Sequence, residues 1–235
     1  MRSTPAHIIC CLWLLGNLSA CAVTPICFPS TPTTELELRA HEIGREAEGD
    51  QVAGMLDLAE SKLKTNPDEA LRLTRALGAG LHLNGIALDI EKSAFLLEKA
   101  VIVATDASTE IETRIVAIEV LGYTTWSHHA EDLLQLLTEH EPVKIQQAAI
   151  DALELLDAGE FVMSIIARWP DMSPQARDHA ATVFIAHSER ARALLEAIRD
   201  GQIKPSDLSP SNVRLLQMSV TPDVRILAKQ LLPPS

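Results

Sequence analysis

The sequence predicts an all-α protein, an α-solenoid of stacked antiparallel helix pairs, and three observations lead to this fold class. A polar residue is followed three positions later by alanine and seven positions later by leucine or phenylalanine, starting at Arg114, Gln146, Arg177 and Arg225. These spacings put all three side chains on one helix face, where alanine lets a neighbouring helix approach closely. The first three copies are 32 and 31 residues apart, a spacing typical of helical-hairpin repeats. The chain is 47% hydrophobic but only 3% aromatic, a composition that favours packed helices over β-sheets.

The charge of the chain excludes one class of partner. The formal net charge is −12, and so acidic a surface repels the phosphate backbone of nucleic acids. The charge is uneven, since residues 1–167 hold 25 acids and 11 bases, whereas residues 168–235 hold 7 acids and 9 bases. This contrast indicates either ordinary solvated helix faces or a functional acidic surface.

Residues 1–21 resemble an export signal. Arg2 is its positive end, residues 8–15 are apolar but too few to span a bilayer, and residues 18–21 (LSAC) resemble a bacterial lipobox. We therefore predict lipidation at Cys21 and a location in the periplasm or at a lipid anchor of the cell envelope. The alternative is an uncleaved or misassigned start. All four cysteines precede residue 28, so the mature body is predicted to hold no disulfide.

A tether and a series of capped helices follow this leader. Residues 22–34 are rich in Pro, Thr and Ser and are predicted to be extended, whereas residues 35–232 form the helical repeat domain. Thr34 is the predicted cap of the first helix, with Glu37 reaching back to it. Capping residues followed by proline mark further starts at Asn66, Ser173, Ser209 and Thr221, and Ser108, Ser127 and Ser188 mark starts without proline.

These signals predict twelve helices, and no stretch alternates long enough to require a strand. The predicted helices cover residues 35–47, 50–64, 67–83, 90–104, 109–122, 128–139, 142–156, 159–168, 174–186, 189–200, 210–217 and 222–232.

Histidine and carboxylate residues cluster around the sixth predicted helix. His128 and His129 lie at its start with Glu131 close by, and His140 and Glu141 follow its end. Nitrogen and oxygen ligands of this kind suit zinc or iron. However, adjacent histidines point about 100° apart on a helix, and no His-x-x-x-His pair occurs. The prediction is that these side chains are exposed polar residues, and that the chain has no metal or other cofactor.

Aromatic residues and glycines have a structural and a functional interpretation. Trp169 before Pro170 is either a recognition spot or, as we predict, a side chain that packs where the helix ends. Tyr123 and Trp126 have the same two interpretations. The pair Gly78 and Gly80 indicates a kink or a close helix contact; a phosphate-binding loop would need more glycine and a lysine that is absent there.

The repeats after Arg114 resemble HEAT repeats, and one stretch resembles a narrower family. Its residues are 168–174 (RWPDMSP), Arg177, 194–198 (LLEAI), 201–203 (GQI) and 207–209 (DLS). This run is similar to the HEAT segment of PVC-type haem-binding CxxCH proteins, which are exported and also known as membrane-bound dehydrogenase-domain proteins. In that family a β-propeller precedes the helices and a c-type cytochrome domain follows them. Neither has a counterpart here, since no Cys-x-x-Cys-His motif occurs and no room remains for a propeller.

The deoxyhypusine hydroxylases are a second family of HEAT proteins, and they bind iron through repeated His-Glu pairs. Here only the dipeptides at His41 and His140 occur, at positions that are not equivalent in the repeats. No catalytic residue transfers from either resemblance. We therefore expect a non-catalytic scaffold or protein-interaction module of the cell envelope. The alternative is a spacer in a dehydrogenase system, with a c-type cytochrome or a propeller dehydrogenase as partner.

Overall fold

The computed structural model describes residues 32–156 and 159–234, and within them the chain is all-helical. It forms twelve α-helices and no strand in these ranges, which confirms the predicted all-α class. The helices are α1 (Glu35–Glu46), α2 (Gly49–Lys62), α3 (Pro67–His82), α4 (Ala94–Thr105), α5 (Ile111–Gly122), α6 (Trp126–Leu134), α7 (Val143–Leu155), α8 (Phe161–Arg168), α9 (Pro174–Ile185), α10 (Ser188–Arg199), α11 (Pro210–Gln217) and α12 (Pro222–Leu231). Among the described helices, none combines the length and the apolar character that a membrane crossing requires.

Four of the eight predicted capping residues make the expected side-chain bond, whereas Ser188 is the first residue of α10 and not its cap. The side chains of Thr34, Asn66, Ser173 and Ser209 each accept a hydrogen bond from the backbone N–H three residues later. Glu37 does reach back, but its carboxylate accepts from the N–H of Thr33 at 2.9 Å rather than from that of Thr34. The capping prediction is therefore right in kind and displaced by one residue.

Local hydrogen bonds also explain where the predicted boundaries are wrong. Ser108 caps no helix, because Asp106 accepts both its N–H and its hydroxyl and holds a turn before α5. Helix α4 starts late because Oδ1 of Asp89 accepts from the backbone N–H groups of Glu91 and Lys92 and holds a turn there. Helix α6 begins at Trp126, not at Ser127 or later, and Thr221 precedes α12 without a side-chain capping bond.

The helices contact one another in a regular order. The odd-numbered helices pack in succession from α1 to α11, and α6, α8, α10 and α12 do the same. Helices α1 and α3 touch backbone to backbone, since a Cβ atom added to Gly80 would lie 2.2 Å from the carbonyl oxygen of His41. The predicted close contact at Gly80 is thus present, and Gly78 packs against the ring of Tyr123.

The repeated pattern occupies one position in four helices. Its polar residue is the fourth residue of α5, α7, α9 and α12 in turn. The alanine three positions later is fully buried in each, as Ala117, Ala149, Ala180 and Ala228. The copy at Arg225 lies on an even-numbered helix, whereas the other three lie on neighbouring odd-numbered ones. This explains why only the first three copies keep the 31 to 32 residue spacing.

Candidate functional site

The polar residues of the repeat bind backbone carbonyl groups at the end of the preceding helix or in the preceding loop. Arg114 donates from Nε to the carbonyl of Ala104 at 2.9 Å, and Arg177 donates to the carbonyls of Trp169 and Pro170, both at 2.8 Å. Arg225 donates to the carbonyl of Ser219 at 2.7 Å. Carbonyl groups at helix ends lack intrahelical partners, so a long donor at this position satisfies them. These residues therefore hold loops in place.

Arg114 and Gln146 are the most deeply buried members of this set. The guanidinium of Arg114 is 2% exposed, and its Nη2 lies 2.8 Å from Oε2 of Glu141. Gln146 is fully buried; it donates to the carbonyl of Glu141 at 2.7 Å and accepts from the N–H of Ser173 at 2.9 Å. Together the two side chains connect the end of α4 with the loops before α7 and α9.

A second buried polar group joins the first helices. Arg75 on α3 lies between Glu37 on α1, at 3.6 Å, and Glu119 on α5, at 3.4 Å. Arg72 also approaches Glu37, at 3.4 Å. Burial raises the pKa of the neighbouring Tyr123 well above its usual range, and the charge of Glu119 adds to this effect against the opposing charge of Arg75. Tyr123 is 6% exposed, which agrees with the packing interpretation.

Two of the three histidines considered as metal ligands, His128 and His129, make separate local bonds. Nδ1 of His128 lies 2.7 Å from the Thr125 hydroxyl, and Nδ1 of His129 lies 3.1 Å from Asp132. Their carboxylate neighbours are engaged elsewhere, because Glu131 pairs with Arg168 and Glu141 pairs with Arg114. Across the described ranges, no three His, Cys, Asp or Glu side chains are grouped in a way that could hold a metal ion.

Trp169 is a core residue. It is 1% exposed, and its indole N–H donates to Oδ2 of Asp207 at 3.3 Å. A short 3-10 helix, Trp169–Asp171, follows α8, so Pro170 ends the α-helix as predicted. The packing interpretation of Trp169 is confirmed, while Trp126 packs only partly buried against the core.

A cluster of charged side chains crosses α7, α9 and α10. His179 on α9 lies 2.6 Å from Oδ1 of Asp151 on α7. Burial by itself would lower the pKa of His179, but the hydrogen bond to Asp151 and the charges of Asp151, Glu154 and Asp178 outweigh it and raise the pKa. The imidazolium form is thereby stabilised, so this pair is an ion pair at acidic pH.

Glu154, one turn along α7, is the buried member of the cluster. It pairs with Arg190 of α10, and His187 lies 3.7 Å away. The Arg190 guanidinium also lies over the ring of Phe161, 5.1 Å from its centre. Burial raises the pKa of Glu154 even though Arg190 and His187 oppose it. This ion pair links α7 to α10, so it connects the series of odd-numbered helices with the series of even-numbered ones.

Beside the cluster runs an open groove of about 480 Å³. The residues that line it are Gln147, Pro174, Gln175, Asp178, His179 and Thr182, five of which carry a polar or charged group. Asn212 on α11 contacts one of these lining residues, since its amide donates to Oδ1 of Asp178 at 2.7 Å. Amide, hydroxyl and imidazole groups from neighbouring helices thus face one surface, which we call the α7–α9 groove. Such a surface can hydrogen-bond a polar partner.

The sequence prediction missed this cluster, although the repeat contains a signal for it. Asp151 comes five residues after Gln146, and His179 comes two residues after Arg177. Aligning neighbouring repeats on their polar residue places these two side chains three positions, or about one helical turn, apart in register, so they come within reach because α7 and α9 are neighbours. Without known helix neighbours, residues 28 positions apart give no pairing signal of their own.

Comparisons with protein-family models, with curated proteins and with solved structures find no match to this chain. The similarity to HEAT repeats and to the haem-binding CxxCH family therefore stays a prediction. The predicted export signal, the lipidation site at Cys21 and most of the tether lie outside the described residues.

Proposed function

We propose that this chain is a HEAT-like α-solenoid that serves as a non-catalytic scaffold and protein-interaction module of the cell envelope. The observation that carries the proposal is the repeated use of one helix position. At the fourth residue of α5, α7 and α9, a polar side chain binds a backbone carbonyl of the preceding helix end or loop, and a buried alanine follows three residues later. A repeated unit of this kind is typical of arrays in which each hairpin packs only on its neighbours.

The order of helix contacts supports the stacked arrangement. Successive odd-numbered helices pack on one another, as do α6, α8, α10 and α12, and α9 packs on α10 as α11 does on α12. A solenoid of antiparallel pairs predicts contacts of this order. Such arrays bind partners through an extended surface with many shallow contacts.

The charged groups in the interior support a structural role rather than catalysis. Arg75, Arg114 and Glu154 each have an ionic partner on a different helix or loop. Buried ions paired in this way connect packed elements, because leaving one unpaired would cost several kcal/mol, roughly 3–5. The α7–α9 groove is the best candidate contact surface, since it is open and presents amide, carboxylate, imidazole and hydroxyl groups from neighbouring helices.

The envelope location depends on the predicted leader and Cys21. A block of lipoprotein processing that leaves the mature mass unchanged would remove the lipidation proposal. The alternative function is a spacer in a c-type cytochrome or propeller dehydrogenase system, and the stretch from residue 168 to 209 is the feature that favours it.

A single purification tests both functions. The full chain, tagged at its C-terminus, is crosslinked in its native cells, purified, and its partners are identified and stained for covalently bound haem. A specific partner without haem favours the scaffold, whereas a haem-stained partner or a propeller protein favours the spacer. Recovery of the bare polypeptide alone would contradict both.

A matched pair of variants tests the groove. Gln175→Lys adds a long cation in the α7–α9 groove, whereas Gln202→Lys makes the same change at an exposed loop position away from it. We expect partner recovery to fall with Gln175→Lys alone, because the new side chain occupies the groove and alters its charge. Equal recovery with both variants would exclude this groove as the contact surface.

A further inference from the structure

A histidine–carboxylate pair joins α7 to α9 at the edge of the α7–α9 groove. Nε2 of His179 lies 2.6 Å from Oδ1 of Asp151, and the two side chains are 28% and 21% exposed, so water reaches both. His179 also lines the groove. We call His179 and Asp151 the α7–α9 latch. Its strength depends on pH, because histidine is the side chain whose charge changes between about pH 5 and 8.

Carboxylates surround the latch on its own two helices. Glu154 lies one turn beyond Asp151 on α7, and Asp178 directly precedes His179 on α9. Burial alone would lower the pKa of His179, but the hydrogen bond to Asp151 and the charges of the three carboxylates outweigh it and raise the pKa. A neutral imidazole keeps only an ordinary hydrogen bond, whereas the imidazolium adds the attraction between opposite charges. Protonation therefore strengthens the contact between α7 and α9.

The other elements packed on α9 bring further polar groups towards the latch. From the α10 side, Arg190 pairs with Glu154, and His187, directly before α10, lies 3.7 Å from the same carboxylate. From α11, the neutral amide of Asn212 donates to Oδ1 of Asp178. Because His187 is also a histidine, its contribution has to be separated from that of the latch by a variant of its own.

The 3-10 helix Pro205–Asp207 also packs on α9, and its carboxylate is directed to another residue. Asp207 lies 4.0 Å from Arg177 and accepts the indole N–H of Trp169. Its charge therefore faces a cation of α9 that precedes the latch by two positions along the chain.

A further polar contact between α7 and α9 does not titrate. The amide oxygen of Gln146 accepts from the N–H of Ser173, the cap of α9, at 2.9 Å. An amide side chain keeps the same hydrogen-bonding groups at every pH in this range, so the start of α9 stays attached. The pH-dependent contact acts six residues further on, where α9 borders the groove.

We propose that the α7–α9 latch makes access to the α7–α9 groove depend on pH. When His179 is protonated, its ion pair with Asp151 holds α9 on α7. When His179 is neutral, α9 departs from α7 more often in local openings. Each opening widens the groove, because the latch joins the helices that form it. The proposal rests on the proposed function in taking this groove as the contact surface.

Hydrogen exchange of the purified full chain, followed by mass spectrometry, measures these openings. A histidine whose folded pKa is raised above 6.5 stabilises the contact below that pH, and the effect is lost as the pH rises through the folded pKa. After correction for the intrinsic exchange rate, the protection of α9 should be at least about threefold higher at about pH 5.5 than at about pH 8. Helix α4, which contains no histidine, is the internal reference and should change less.

Four variants assign the effect to its residues. His179→Gln and Asp151→Asn each keep a polar side chain but remove one charge of the latch, so both should abolish the pH dependence of α9 protection. His187→Gln should retain it, which separates the two histidines. His128→Gln is the matched control, since His128 is exposed on α6 and contacts the neutral hydroxyl of Thr125.

An NMR titration of the histidine side chains supplies an independent readout. The signal of His179 is identified by its loss in His179→Gln, and its midpoint in the wild type should coincide with the midpoint of the change in α9 protection. Circular dichroism of each variant checks that it is folded.

Other outcomes overturn the latch. These are an equal change of protection in α4 and α9, an unchanged pH dependence in folded His179→Gln or Asp151→Asn, or two midpoints that differ. Such a result would leave the scaffold function standing, because partner recovery from cells and the Gln175→Lys test do not depend on it. Recovery of no partner would contradict the proposed function, and the exchange experiment would still decide whether the latch opens.

Discussion

Replacing Arg114 with methionine should destabilise the protein more than the same change at Arg225. The two residues occupy the same repeat position, but their surroundings differ. Arg114 is 2% exposed and has both an ion pair with Glu141 and a bond to the Ala104 carbonyl, whereas Arg225 is half-buried and has one bond to the Ser219 carbonyl. The comparison separates the cost of a buried charge from that of a loop hydrogen bond.

The expected magnitudes follow from these contacts. Removing one member of a buried ion pair costs about 3–5 kcal/mol, and the 18% exposure of Glu141 places Arg114→Met near the lower end of that range. Losing the single hydrogen bond of Arg225 should cost about 1 kcal/mol. In the double variant Arg114→Met with Glu141→Gln, we expect part of the loss to be recovered, because no charge is left without its partner.

Urea denaturation followed by far-UV circular dichroism measures these differences in the free energy of unfolding. Arg114→Lys is an informative control, since it keeps the charge but not the fork that reaches both Glu141 and Ala104. Equal losses for Arg114→Met and Arg225→Met, or no recovery in the double variant, would show that the buried ion pair is not what makes this position important.

Three further perturbations test other contacts. Gly80→Ala should cost about 1–3 kcal/mol of stability, because its Cβ would lie 2.2 Å from a backbone oxygen. Gly54→Ala should stabilise the protein by up to about 1 kcal/mol, because its Cβ would meet nothing and alanine is the better helix former. Chemical denaturation measures both differences in the free energy of unfolding. Since the folded pKa of His179 is raised above its ordinary value of 6.5, its stabilising effect is complete below about pH 6.5 and is lost as the pH rises through the folded pKa. The melting temperature of His179→Gln should therefore fall less over that range than that of the wild type. Trp169→Phe should cost about 1 kcal/mol for the bond to Asp207, and Trp169→Ala clearly more.

The periodic part of the sequence determined the secondary structure. Helix class, helix number and most helix starts within the described ranges follow from local rules, because a capping side chain such as Ser173 bonds to backbone only three residues away. The errors at Ser108 and α6 are local as well, since turns held by side chains compete with helix over the same few residues.

The pairing of side chains was decided by the tertiary structure alone. The sequence around Arg114 does not predict its ion pair with Glu141, 27 positions later. The sequence likewise does not predict the contact between Asp151 on α7 and His179 on α9. Such contacts depend on which helices are neighbours and on how closely they approach, and glycines such as Gly80 set that distance. The sequence by itself therefore determined the helices and the position that repeats among them. Only the packing of the helices decided which of the charged residues are buried, because a side chain is buried by contacts with several helices and not by its own segment.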